Sequence, residues 1–370
     1  MKYKIALDAR PLSTPVSGVG RLITETLVHF PEKHKYEFHL FSHLPIHETH
    51  KKIFEYSNVH IHKGKNLFSK KGGTYFLISL PYEIRKEKFN LFWGSQQVVP
   101  FFLPSKLPVV LTYCDLVLYF YPETMRKIAA LQQKFFQAYS VKRANFILSI
   151  SENTRKDQIQ YFNYPRENTD VAYPGVDLEE IYSFLEKVPS EKIKSLPKKF
   201  ILSVSTIEPR KNYPFLLSVY REYRKISGNK KLNWVIIGKR GWESLDFYTN
   251  LEKDIKEFSD ITVLDSINDI DLHHAYSRAE VFLFGSKYEG FGIPLVEALA
   301  HKKKSLVSDI PTFHEIGGSE IFYLPTENPK LWAEKLFELT QSNKYPLIDL
   351  QKFSWENSAL QTKKVFDKFL

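Results

Sequence analysis

Two patterns of apolar and polar positions take turns along the chain. Short, mostly apolar runs recur as KIALDA (4–9), EFHLFS (37–42), VHIHKG (59–64), LFWG (91–94), PVVLTY (108–113) and FILSIS (146–151). Elsewhere the apolar residues fall at helical spacing, over GVGRLITETLVHF (18–30), PETMRKIAALQQKFFQAYSVKRA (122–144) and ENTRKDQIQYF (152–162). The short runs read as strands. Their alternation with helices predicts a parallel sheet covered on both faces.

The pattern restarts in the second half. DVAYPGVD (170–177) leads into a Lys/Glu-rich stretch ending in SLPKK (195–199), which reads as the domain junction. A new first strand, KFILSVSTI (199–207), is followed by NWVIIGK (233–239), ITVLD (261–265), VFLFGS (281–286), SLVSD (305–309) and IFYL (321–324). The chain thus divides into a first α/β domain over 1–175, a linker over 176–198, a second α/β domain over 199–354 and a terminal helix over 355–370. In doubly wound sheets ligands bind outside the carboxyl ends of the strands. The loops that follow strands are therefore where chemistry is expected.

Four such loops stand out. ARPLSTPVSGVGR (9–21) enters a helix through Gly18 and Gly20. Small residues there let backbone N–H groups approach an anion, although glycines are also ordinary turn residues. The GxGxxG spacing is missing, so a dinucleotide fingerprint is not supported. STIEPRKNY (205–213) sets Arg210 beside Lys211, a planar fork and a compact charge that together suit a diphosphate. The alternative is an exposed basic turn with Glu208 as its local partner. IIGKRGW (236–242) combines Gly238 and Gly241 with Lys239 and Arg240, again after an apolar strand.

YEGFGIPLVEALA (288–300) is the most informative stretch. Gly290 and Gly292 bare the backbone at a turn, and Pro294 suits a first helical turn because its missing N–H costs nothing there. A phosphate can rest on such a helix start. Glu297 lies one turn into the helix, within reach of a ribose, and Glu289 precedes the turn and faces whatever lies beyond the phosphate. Complementing a helix dipole is the plainer role for both carboxylates.

Other constellations carry less. Asp269-Ile270-Asp271 reads as the cap of the helix continuing in LHHAYSRA rather than as a metal site. His273 and His274 are adjacent and point to different faces. Neither a zinc-ligand spacing nor a GxSxG nucleophile elbow is found.

Charge sharpens the picture. The net charge is +10, and residues 1–175 hold 24 Lys and Arg against 14 Asp and Glu, so the whole excess lies in the first half. Such a half attracts a phosphorylated substrate, an anionic lipid surface or nucleic acid, unless it is simply a solvated lysine-rich face. A single cysteine, Cys114, rules out an internal disulfide framework and fits a reducing, cytoplasmic setting. The opening MKYKIALDARPL resembles a strand rather than a signal segment. The apolar stretch Val98–Pro122 is broken by Pro100, Pro104 and Pro108, which argues against a membrane span.

Together EPRKN (208–212), GKRGW (238–242) and YEGFGIPLVEALA (288–300) resemble the retaining nucleotide-sugar glycosyltransferases of family 4. HHAYSRAEVFLFGS and SDIPTFHEIGG flank the last motif in the matching order. DARPLSTPVSGVGR, SISENTRKD and VAYPGVD resemble the family more loosely in the first half. The resemblance implies a GT-B fold, in which two Rossmann-like doubly wound domains face a central cleft. The acceptor would lie mainly on the first domain and the donor mainly on the second, and the terminal helix would pack back onto the first.

The resemblance also implies roles. Arg210 and Lys211 would hold the donor diphosphate, Glu289 the donor sugar and Glu297 the ribose. Gly290, Phe291, Gly292 and Ile293 would cradle sugar or phosphate, with Gly238 and Lys239 nearby. Gly18, Gly20, Arg21 and Cys114 would line the acceptor side, and Asp115 would join Glu289, Arg210 and Lys211 in catalysis. Two departures are visible. Cys114 stands before Asp115 where the family commonly has His, and HKKKS (301–305) replaces a small-residue turn.

The implied activity is transfer of a hexose from a nucleoside-diphosphate sugar to a glycan acceptor, with retention and without a metal cofactor. GDP-mannose is the favoured donor. A lipid-linked acceptor at the anionic inner face of a membrane, in bacterial-type surface polysaccharide assembly, would suit the basic first half. One alternative is a catalytically inactive relative serving as a scaffold in an assembly complex. The other is nucleic-acid binding, which rests on charge alone and lacks a recognised module.

Overall fold

The computed structural model describes residues 2–15, 17–64, 67–122, 127–241, 243–265 and 267–370. Val16 of the first loop, residues 123–126 of the helix expected over 122–144, and Trp242 of the third loop lie outside them. The described chain forms two compact units, Met1–Gly175 with Gln351–Leu370, and Val176–Leu350.

The first unit holds strands β1 (Tyr3–Asp8), β2 (Tyr36–Ser42), β3 (Val59–Lys63), β4 (Leu91–Gly94), β5 (Val109–Tyr113), β6 (Phe146–Ser149) and β7 (Thr169–Val171). They pair in the order β3-β2-β1-β4-β5-β6-β7, every pair parallel. Ile5, Leu7, Phe38, Leu40, Trp93 and Val110 build the core on one face against Ile23 and Leu27 of the helix Gly18–Val28. That helix starts where the Ser17 side chain accepts from Gly20 N. The terminal helix Trp355–Phe366 closes this core: Phe366 lies 5.9 Å from Phe30 and 5.7 Å from Trp93, ring to ring. Tyr36 donates to Asp367 at 2.5 Å. Burial of a side chain as large as Phe366 is worth ~1.5–3 kcal/mol.

The second unit holds β8 (Phe200–Val204), β9 (Asn233–Ile237), β10 (Ile261–Leu264), β11 (Ala279–Phe284), β12 (Lys304–Ser308) and β13 (Phe322–Leu324). Their order is β10-β9-β8-β11-β12-β13, again all parallel. Strands buried on both faces need no polar alternation, which is why runs such as Val281–Phe284 are continuously apolar. In each sheet the chain first winds one way from a central strand and then the other. The switch points are β1/β4 and β8/β11, where doubly wound sheets open a crevice at their carboxyl edge.

Several expectations need correction. The expected linker 176–198 is folded into the second unit, through the helices Leu178–Leu185 and Glu191–Lys194. Ile181 and Ile193 are buried, and the Arg278 guanidinium donates to the carbonyls of Ile193, Leu196 and Pro197. The second unit ends at Leu350, four residues before the expected 354, because Gln351–Phe353 already belongs with the terminal helix. The helix Asp269–Arg278 is capped by Asn268, which accepts from Asp271 N. Asp271 instead receives both N–H and Oγ–H of Ser190, at 2.7 Å each. Between β3 and β4, where no clear period is readable, the chain makes a π-helical turn at Tyr75–Ser79 that runs into the helix Leu80–Arg85.

Candidate active site

The loops after β8 and β11 meet at the switch point of the second sheet. After β8 the chain passes Glu208, makes a tight turn over Pro209–Lys211, and enters the helix Tyr213–Ser227 through Asn212 in the left-handed region at φ 58°. After β11 it runs through Ser286 and Glu289 to Gly292, which opens the helix Ile293–Ala300. Lys287 N donates to the Arg210 carbonyl at 2.9 Å, and Arg210 Nη1 donates to the Tyr288 carbonyl at 2.9 Å. The two loops are thereby stitched into one surface.

Glu289 sits at the centre. Its Oε2 accepts from Arg210 Nη1 at 2.6 Å. Its Oε1 accepts from the Lys211 ammonium and, at 2.7 Å, from Ser286 Oγ. Arg210 also donates to Glu208 Oε1 at 2.8 Å. Glu289 is buried, which alone would push its carboxyl up. The charges of Arg210 and Lys211 outweigh burial and hold it down to about 2. Burial also pulls the Lys211 ammonium below its ordinary range, against the attraction of Glu289. Two carboxylates thus stand against two cations in a desolvated pocket, where charge-assisted hydrogen bonds are strong and a stranded partner is costly.

The glycine turn differs in kind. Gly292 has φ +116°, and a Cβ there would stand 3.0 Å from Phe313 Cε1. No side chain caps the helix it opens, and Pro294 lies in its first turn. The site is held from below by Thr312, whose hydroxyl donates to the Glu289 carbonyl at 2.8 Å. Gly290, Phe291 and Ile293 complete this stretch of backbone. Glu297 is buried one turn on, where its Oε2 accepts from the Tyr276 hydroxyl at 3.0 Å.

The third loop has another physical basis. A Cβ on Gly238 would fall 1.8 Å from the Ser205 carbonyl oxygen, and one on Gly241 would fall 2.3 Å from that of Ile207. Both glycines are required because the loops after β8 and β9 run backbone to backbone, with Ile207 N bonded to the Lys239 carbonyl at 2.9 Å. Lys239 is exposed, and Arg240 pairs with Glu252 at 3.3 Å on the surface.

The remaining candidates belong to the first unit. Gly18 has open space where a side chain would go, whereas Gly20 is closed by His50, whose Cε1 would lie 2.9 Å from a Cβ. Arg21 N closes the first helical turn onto the Ser17 carbonyl. Cys114 and Asp115 follow β5. Burial, with the Asp115 charge beside it, pushes the Cys114 thiol up to about 12. Asp115 Oδ1 accepts from Val117 N at 3.1 Å, and Gln97 Nε2 donates to the Asp115 carbonyl at 2.7 Å.

Sequence reasoning missed Ser286, Thr312 and Tyr276, which orient the two glutamates. It also missed Asp8 and Arg10 at the end of β1. Arg10 Nη2 meets the fully buried Asp8 carboxylate at 2.7 Å, and the guanidinium lies 4.0 Å over the Phe76 ring. Asp8 and Arg10 sit at the β1/β4 switch point, a signal that the strand order supplies and the sequence does not.

Comparisons with known proteins agree on both halves. Residues 16–180 match the family model "Glycosyltransferase Family 4" and residues 186–348 match "Glycosyl transferases group 1". The chain is 26% identical over 276 residues to the O-antigen chain mannosyltransferase B of Escherichia coli, covering 71% of each. It is 25% identical over 234 residues to the O-antigen chain mannosyltransferase RfbU of Salmonella typhimurium, covering 62% of this chain and 60% of that protein. It is 27% identical over 247 residues to a Campylobacter jejuni N-acetylgalactosaminyltransferase named for a diphospho-undecaprenol acceptor, covering 65% and 61%. Among solved structures, WaaG, a glycosyltransferase involved in lipopolysaccharide biosynthesis, aligns with a TM-score of 0.66 at 12% identity over 99% of both chains. Anabaena Alr3699/HepE in complex with UDP and glucose aligns with a TM-score of 0.63 at 15% identity, covering 100% and 96%.

Proposed function

Because the chain belongs to the family 4 glycosyltransferases of the GT-B fold, we propose that it moves mannose from GDP-mannose to a lipid-linked glycan, with retention of configuration and without a bound metal, in the assembly of a bacterial-type surface polysaccharide. The observation that carries this reading is the meeting of Arg210, Lys211 and Glu289 at the switch point. A diphosphate entering there exchanges Glu289 for its own oxygens as partner of the two cations. Glu289, ionised and released, then accepts from a sugar hydroxyl. As the glycosidic bond breaks, charge grows on the leaving diphosphate, and a preorganised cation pair in a dry site stabilises that growth more than it stabilises the ground state. The leaving phosphate itself takes the acceptor proton, so no protein base is required. Glu297, steadied by Tyr276, holds the ribose.

The mannosyl choice is supported by the names of two O-antigen relatives, and the lipid-linked acceptor by the Campylobacter relative and by the basic first half. Among the described residues no helix is long and apolar enough to cross a membrane; the basic first half would meet an anionic lipid surface at the inner face through its charge. The test is thermal unfolding with GDP, UDP and ADP, followed by turnover of the matching sugar nucleotides and assignment of the product anomer. A ligand at about 100 Kd adds about 2.7 kcal/mol and raises the midpoint by a few degrees. Stabilisation by GDP and turnover of GDP-mannose to an α-linked product support the reading. Stabilisation by UDP alone replaces the donor. Binding without turnover favours the scaffold role to which the Cys114 departure points.

A further inference from the structure

On the face of the first sheet opposite Phe38 and Leu40, the edge strand β3 and its neighbour β2 gather three histidines and a glutamate. The parallel register sets His39 against His60 and Phe41 against His62. Residues two apart on a strand share a face, so Glu37 and His39 of β2 face the same way as His60 and His62 of β3. Glu37, His39 and His60 each offer one ligand atom, and these atoms lie within 4.8 Å of one another. His39 Nε2 stands 3.9 Å from Glu37 Oε2.

The central imidazole is poised for a ligand. His39 is 5% exposed, and its Nε2 is buried with no hydrogen-bond partner among the described residues. Native structures rarely leave such an atom unsatisfied. Its other nitrogen, Nδ1, is bonded to His62 Nε2 at 2.9 Å, and the His62 ring is stacked 4.5 Å from Phe41. With the proton on Nδ1 and shared with His62, Nε2 is left as an acceptor beside Glu37 and His60. A hydrogen-bond partner on the far nitrogen is the usual way in which a metal-binding imidazole is oriented.

We propose that Glu37, His39 and His60 form a site for one divalent transition-metal ion of the zinc class, with His62 positioning His39. Two imidazoles and one carboxylate are a donor set that zinc accepts at bond lengths of about 2.0–2.2 Å, with a fourth position open to water. The exposed His60 side chain supplies the movement that draws the three atoms in. The ion clasps the edge strand β3 to β2. It lies in the first unit and takes no part in the transfer reaction proposed above. Its ligands come from two strands, so the spacing along the chain does not reveal it.

The test uses the full chain, free of any affinity tag and stripped with a chelator. Titration with zinc chloride at pH 7.5 is expected to show one ion per chain. Cobalt chloride is expected to give the intense visible bands of a four-coordinate ion, and zinc but not magnesium is expected to raise the unfolding midpoint. His60→Ala, at an exposed position, and Glu37→Ala are each expected to weaken zinc at least about 10-fold, a scale set by losses of supporting groups in known sites. His34→Ala, an exposed histidine elsewhere in the same unit, is expected to leave it unchanged. Absence of stoichiometric zinc binding, or binding unaltered in His60→Ala and Glu37→Ala, overturns the proposal.

Discussion

Arg210 donates to Glu289 at 2.6 Å although 79 residues separate them. The contact exists because β8 and β11 are neighbours in the sheet while being distant in the chain. The guanidinium already bridges Glu289, the Tyr288 carbonyl and Glu208, so it is preorganised before any ligand arrives. Arg210→Ala is expected to lower turnover by about 10²-fold or more, the scale of losing one preorganised donor. Arg210→Lys is expected to recover little, since an ammonium cannot reproduce the fork. Steady-state turnover of the sugar nucleotide measures both, and a rate near wild type in Arg210→Ala refutes the diphosphate role.

The same contact sets an acid dependence. Glu289 is held down to about 2 from an ordinary 4.5, so its stabilisation is complete above 4.5 and is lost as pH falls toward 2. A shift of that size corresponds to on the order of 3 kcal/mol. Glu289→Gln removes the carboxylate and leaves the buried Lys211 ammonium without its counter-charge and the half-buried Arg210 with Glu208 as its carboxylate partner, at a cost of about 3–5 kcal/mol near neutral pH. Denaturant unfolding should show that deficit at pH 7 and a narrowing gap between variant and wild type as pH falls through this window. A gap that stays constant with pH would mean that Glu289 is not the ionised partner.

The central strands were readable because they are buried on both faces and therefore continuously apolar, as in Val281–Phe284. The opening of the last motif was readable because Gly292 and Pro294 have local meanings, a left-handed turn and a helix start. What could not be read needed a partner from elsewhere. Gly238 and Gly241 read as a turn after a strand, and the Ser205 and Ile207 carbonyls that press against them are seen only in the fold. Leu178–Leu185 looks like part of a linker because it lies in a Lys/Glu-rich stretch, and of its apolar residues only Ile181 is buried. Glu289 reads as a carboxylate turned to a sugar, and only the sheet order reveals that Arg210 and Lys211 occupy it first.

Glycines at the two helix starts separate backbone strain from ligand access. Gly292→Ala forces a side chain to φ +116° and against Phe313. It is expected to cost about 1–3 kcal/mol of stability and to weaken nucleotide binding. Gly18→Ala meets nothing within 4 Å, so the unfolding midpoint is expected to hold or rise slightly. If Gly18 lines the path of the acceptor, turnover falls while the midpoint does not. Paired melting and kinetic measurements on the two variants distinguish these outcomes.

Tyr276 is expected to act through Glu297. Tyr276→Phe removes the hydroxyl that bonds Glu297 Oε2 at 3.0 Å and leaves a buried carboxylate one partner short, a loss of about 1–3 kcal/mol. If Glu297 holds the ribose, the loosened carboxylate weakens the nucleotide while the bond-breaking step is untouched. The expected outcome is a raised KM with kcat within a few-fold of wild type. A fall in kcat at constant KM would place Tyr276 and Glu297 in the chemical step instead.

Cys114 offers a last discrimination. Burial and Asp115 push its thiol up to about 12, and the thiolate is the reactive form. At pH 7.5 the folded chain is therefore expected to resist an alkylating reagent over a time in which the unfolded chain takes up one equivalent at its single cysteine. A thiol so protonated neither attacks a sugar nor accepts a proton near neutral pH. Cys114→Ser is accordingly expected to retain turnover within a few-fold if the leaving phosphate takes the acceptor proton. Should Cys114→Ser abolish turnover with the melting midpoint preserved, the position contributes more than packing. Should Cys114→His raise turnover well above wild type, the native chain is a weakened transferase, and its departure from the family at this one position is the cause.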